Sequence, residues 1–116
     1  MAQTVIHVLD LPDEPLDAAA QFHSEQVPLA RGLLKNGSSR LLGASEDLLE
    51  LDALAFVFAP AGKEHQGWRV AVIQALAREA APKRVNGVVG PDSGAVDRTT
   101  DWLAEAPGIT GQVLAV

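Results

Sequence analysis

Along the chain, two spacings of apolar residues alternate. Four short runs are rich in Val, Ile, Leu or Phe: Thr4–Leu9, Ala53–Ala59, Arg84–Val89 and Gln112–Val116. The second, ALAFVFA, is apolar at every position, as expected of a central parallel strand covered on both faces by helices. Between these runs the apolar period lengthens to that of a helix. From Leu16 to Lys35, Leu16, Ala18, Ala19, Ala20, Phe22, Val27, Leu29, Ala30, Leu33 and Leu34 fall on one half of a helical projection, and Asp17, Gln21, Ser24, Glu25, Arg31 and Lys35 on the other.

Pro28 interrupts that segment from the middle of its polar half, where water can replace the backbone bond it deletes. The pattern therefore predicts one kinked helix of about 30 Å, with two shorter helices as the alternative, and Asn36-Gly37 as its stop. A short helix is expected near Ser45. The segment Glu64 to Ala81 reads as a helix with a broad apolar face of Val70, Val72, Ile73, Leu76, Ala77 and Ala80. Trp68, Ala71 and Ala75 form a second apolar face beside it. A helix this apolar is expected to pack on two sides. AVDRTTDWLAEAP gives a last helix, bounded by Pro107-Gly108.

The order β-α-α-β-α-β-α-β predicts a small three-layer α/β domain of the Rossmann-like kind. It has a four-stranded parallel sheet, right-handed crossovers and helices on both faces. With 116 residues and no internal repeat or linker, residues 1–116 are read as one domain. A net charge of −6 excludes a general affinity for nucleic acid or anionic membrane. The absence of cysteine excludes disulfides, thiolate nucleophiles and cysteine-bound metals. No apolar run has the length of a signal peptide core or a membrane span, so a cytoplasmic protein is expected. Ala-rich, Lys-poor usage is compatible with a GC-rich bacterial genome.

From Trp68 onward several phrases recur in an order that carries a resemblance: Leu76-Ala77-Arg78-Glu79, Ala81-Pro82, Arg84-Val85-Asn86 and Ile109-Thr110-Gly111-Gln112. Over these roughly fifty residues the chain resembles the C-terminal half of a short-chain dehydrogenase/reductase. The resemblance implies a Rossmann-type scaffold and a tyrosine–lysine pair, four residues apart, at the start of the helix that ends in Leu-Ala-x-Glu. In that pair the lysine lowers the tyrosine's pKa so that it can shuttle a proton. Counting back from Glu79, those positions fall on Gly62 and Gln66, and the sequence contains no tyrosine at all. The expected serine after the preceding strand is missing from APAGKEH. The turn LDLPDEPLD is acidic and lacks the glycines that admit a pyrophosphate to a helix N-terminus. The family's Pro-Gly after the Arg-Val-Asn strand is reversed here as Gly90-Pro91. The chain thus looks like a truncated, catalytically degenerate relative, with no cofactor and no catalytic residue expected.

Other chemistry is thinly represented. His7, His23 and His65 match no metal-ligand spacing, and Asp10, Asp13, Glu14 and Asp17 are read as helix capping and solubility. Trp102 is read as core beside Leu103. The leading expectation is association, as a homodimer or on a related dehydrogenase, through the 16–35 and 64–81 helices. Trp68, Ala71 and Ala75 would form the contact, since small residues admit a close helix and tryptophan is favoured at interfaces. The alternative is a small-molecule binder or minimal enzyme at the carboxyl ends of the strands, rimmed by Lys63, His65, Asn86 and Asp92.

Overall fold

The computed structural model describes residues 3–36 and 51–116, so the helix expected near Ser45 lies outside the described residues. Four parallel strands, β1 (Gln3–Val8), β2 (Ala53–Phe58), β3 (Arg84–Val89) and β4 (Val113–Ala115), lie side by side in chain order. The helices are α1 (Pro15–Gln21), α2 (Val27–Asn36), α3 (Gln66–Ala80) and α4 (Ser93–Ala104). The expected α/β architecture is therefore present.

The segment from Pro15 to Asn36 is one continuous helical run whose middle, Phe22–Gln26, is a π turn. Its cause is Pro28. Proline has no N–H to return to the carbonyl of Ser24, and in a regular α-helix its ring would press on that oxygen. The preceding turn widens, and the Val27 N–H bonds to Phe22 O five residues back. The extra residue rotates α1 relative to α2. Ala18, Phe22, Ala30, Leu33 and Leu34 are buried, whereas Leu16 is 86% and Leu29 47% exposed, outside the inward face assigned to them from periodicity.

The front face of the sheet is covered by α1, α2 and α3. Val8, Leu54, Phe56, Phe58 and Val85 point into this layer and meet Phe22, Leu33, Leu34, Val72, Ile73 and Leu76. Phe22 is its centre, with ring centroids 5.0 Å from Phe56, 5.5 Å from Phe58 and 5.4 Å from Trp68. The Phe58 ring lies over Gly87 on the neighbouring strand, where a Cβ would come within 2.9 Å of it. A side chain there would push the ring out of the cluster.

Among the described residues the back face carries α4, through Val96 and Leu103 on Val88, with Val57, Ile109 and Leu114 around them. Each connection steps the same way along the sheet, yet the first two cross the front and the third crosses the back. The third crossover therefore winds in the opposite sense to the others, a departure from the uniform right-handed winding expected. Trp102, one residue before the inward Leu103, is 56% exposed rather than core.

The back layer is fastened by polar contacts. Arg84 is buried and its guanidinium donates to the carbonyls of Leu103, Ala106 and Ala104 at 2.7, 2.9 and 3.3 Å, satisfying the end of α4. Asn86 Nδ2 donates to Ile109 O at 3.0 Å and its Oδ1 accepts from Gln112 N at 3.1 Å. Thr110 Oγ1 accepts from Val85 N at 3.1 Å, and Gly111, with φ +74°, donates its N–H to Val85 O at 2.7 Å. The phrases RVN and ITGQ are thus the two halves of one hydrogen-bonded joint. Lys83 likewise turns inward in function, its Nζ donating to Leu34 O at 2.6 Å near the end of α2.

Candidate functional site at the carboxyl ends of the strands

In an open parallel sheet the loops after the strands gather at one edge, and concave sites form there. Here those loops are the segments after Val8, Phe58 and Val89, and the first turns of α3 rise beside them. The Gly62 and Gln66 positions picked out by the dehydrogenase resemblance lie here too, both exposed, one before and one at the start of α3.

The 9–14 loop is shaped by Asp10, whose φ of 60° places a non-glycine residue in the left-handed region. Gln21 Nε2 donates to Asp10 O at 3.3 Å, and His65 binds the other end of the loop. His65 is buried, with Nε2 2.9 Å from Asp13 O and Nδ1 3.1 Å from Trp68 Nε1. An indole N–H can only donate, so Nδ1 accepts, and Nε2 carries the proton given to the Asp13 carbonyl. The acidic cluster does not cap α1 with a side chain: Glu14 stands at the N-cap without such a bond, and Pro15 follows it. Trp68→Phe removes the donor that fixes this tautomer and is expected to cost roughly 1–2 kcal/mol. Equilibrium denaturation measures the loss, and nitrogen NMR of His65 shows a mixture of ring tautomers in the variant.

The most unusual residue here was not singled out by the sequence. Arg69, on α3, is only 7% exposed. Its Nη2 donates to Ala59 O at 3.0 Å, while Nε is buried without a partner. The guanidinium carbon stands 4.7 Å over the Phe58 ring and 5.7 Å from that of Trp68. Among the described residues, no carboxylate pairs with it; the ion pair found there joins Arg31 to Glu79. Burial strips water from the cation and holds its pKa below the ordinary arginine value.

Clefts flank Arg69 on two sides. One, of about 190 Å³, is lined by Asp10, Asp13, Pro60 and His65 among others. The other, of about 220 Å³, is lined by Gly62, Lys63, Gln66, Val89, Val113 and Ala115. The four residues expected to rim a ligand are therefore not gathered together. Lys63 lines the second cleft and His65 the first. Asn86 is buried in the joint with the 109–112 loop, and Asp92 accepts from Gly94 N at 3.0 Å as the N-cap of α4.

On the proposed association face, Trp68 is half-buried and packs among Phe22, Phe58 and His65, within the protomer's own core. Ala71 and Ala75 are exposed. His7 and His23 are exposed; Nδ1 of His23 stands 2.8 Å from Ala19 O. Among the described residues no three His, Asp or Glu side chains come together to hold a metal ion, and no helix is long and apolar enough to cross a membrane.

Comparison with known families matches residues 6–116 to a family described as SDR-like, short chain dehydrogenase-like protein. Curated proteins and solved structures give no significant match.

Proposed function

Because the chain belongs to this SDR-like family, with a match that takes in nearly its whole length, we propose that it is a non-catalytic member that acts by association, as a homodimer built through the outer face of its front helices. The proton relay of the resembled enzymes needs a phenol, and the sequence contains no tyrosine.

The observation that carries the association reading is an unfilled small-residue row on α3. Ala71, Ala75 and Glu79 are four residues apart and so line one ridge of the helix. Glu79 Oε1 meets Arg31 Nε at 2.7 Å, so this ridge borders α2. Leu16 and Leu29 are exposed on the same helical layer. Alanine ridges let two helix axes approach to about 8 Å, and the exposed leucines supply apolar area that a second copy would bury. The Arg31–Glu79 pair, about half exposed on both sides, suits the rim of such a contact.

Ala75→Glu, with Ala71→Glu in a second variant, places charge on the ridge without touching the buried side of α3. Sedimentation equilibrium is expected to give a dimer for the parent and a monomer for either variant, all with the same far-ultraviolet circular dichroism. A parent that stays monomeric at roughly 0.1 mM, or variants that keep the dimer mass, would sink the reading.

A further inference from the structure

We propose that the cleft between Arg69 and the ends of β3 and β4 binds the carboxylate of a small, otherwise apolar molecule. This inference is independent of the association reading. It rests on an unbalanced buried charge. A guanidinium removed from water is costly unless a charged partner or a full set of acceptors replaces the solvent. Arg69 has a single carbonyl acceptor on Nη2 and an unpartnered Nε, and the ring of Phe58 beneath it supplies only a weak counter-field.

Of the two clefts that Arg69 lines, charge selects one. The cleft beside the 9–14 loop is walled by Asp10 and Asp13, which repel an anion. The other is lined by Lys63 as well as Arg69, with Gln66 and no acidic residue in the lining itself, the Glu64 carboxylate lying outside it against Gly62. The N-terminal end of α3, preceded by the turn Lys63–His65, lies at the same place and adds the positive end of a fifteen-residue helix.

The rest of the lining defines the ligand. Val89, Val113 and Ala115 make an apolar wall from the ends of two strands. A planar guanidinium fork matches a carboxylate better than a point charge does. A volume of about 220 Å³ has room for roughly seven water-sized groups. A short aliphatic monocarboxylate fits that description: head between Arg69 and Lys63, tail along Val89 and Val113.

Pentanoate is the probe, with pentanamide as its uncharged counterpart and inorganic phosphate as an anion without a tail. Because Arg69 stands against Trp68, the indole N–H resonance of Trp68 is a reporter in proton–nitrogen NMR. Pentanoate is expected to shift it saturably, with a dissociation constant in the millimolar range, while pentanamide and phosphate leave it in place. Lys63→Glu alters an exposed residue and is expected to weaken pentanoate binding at least tenfold with the fold intact. Arg69→Met is expected to abolish it. Equal response to pentanamide, an equal response to phosphate, unchanged binding in Lys63→Glu, or no saturable shift with pentanoate would each overturn the proposal.

Discussion

Phe22→Ala is expected to be the most damaging single truncation in this chain, lowering stability by roughly 3–5 kcal/mol. Phe22 is fully buried at the π turn, and its ring contacts Phe56, Phe58 and Trp68 at once. Truncation removes the transfer free energy of the ring and leaves a void in a cluster whose other members are fixed by the backbone of a strand and a helix. Phe56 and Phe58 come from β2, whose register is set by pairing on both sides, and Trp68 from α3, where its indole is tied to His65, so they cannot readily close inward. Domains of this size have roughly 5–15 kcal/mol to lose, so the variant stands near the limit of folding. Chemical denaturation followed by far-ultraviolet dichroism gives the loss. Fluorescence in a Trp102→Phe background isolates Trp68, and its emission moves to the red as water reaches the cluster. A loss below about 1 kcal/mol would mean that the front layer is not organised around this ring.

Arg84→Met tests the back layer, with an expected cost of about 3 kcal/mol. Methionine keeps much of the length and apolar stem of arginine but none of its donors. The carbonyls of Leu103 and Ala106 retain one backbone partner each, from Ala106 N and Ile109 N, so the variant does not orphan them completely. What it removes is the charge at the carboxyl end of α4 and three donated hydrogen bonds in a buried setting. The melting temperature is expected to fall by roughly 10–20 °C. Hydrogen exchange should accelerate in α4 and β4 before it does in α2 and α3. Arg84→Lys is expected to recover less than half of the loss, because an ammonium cannot span three carbonyls. Phe22 and Arg84 lie on opposite faces of the sheet, so the two losses should add to within about 0.5 kcal/mol.

The alternation of periods was enough to predict a parallel α/β sheet with helices on both faces, because a strand such as ALAFVF has no polar side to show to water. Local periodicity does not carry phase across a defect. A projection at one fixed angle assigns Leu16 and Leu29 to the same inward face as Phe22. The π turn forced by Pro28 breaks that relation for Leu29, which lies beyond it, while Leu16, in the first turn of α1 and about a third of a turn away from Phe22, stays outside as well. Nor does periodicity say which face a crossover takes, so the opposite winding of the third connection lay beyond it.

The candidate site was legible in place but not in membership. The rule for open sheets pointed to the strand ends, and Lys63 and His65 are there. Asn86 belongs to the RVN phrase because of the joint that phrase builds, so a familiar motif here marks structure rather than chemistry. Arg69 carried a signal that a purely apolar reading of its helix passes over. It lies in phase with Val72, Ile73 and Leu76, a charged residue on the buried stripe. A cation at such a position asks for an explanation before the histidines do.

The two faces of the sheet are held by different forces, and temperature separates them. The front depends on apolar area, whose driving force fades on cooling. Among the described residues the back buries Val88, Val96 and Leu103 and otherwise rests on the bonds that Arg84 and Asn86 make to the backbone. In the cold, therefore, the front layer is the first to loosen while the joint beneath α4 keeps its hold. With heat it is that thinly buried back layer that opens first.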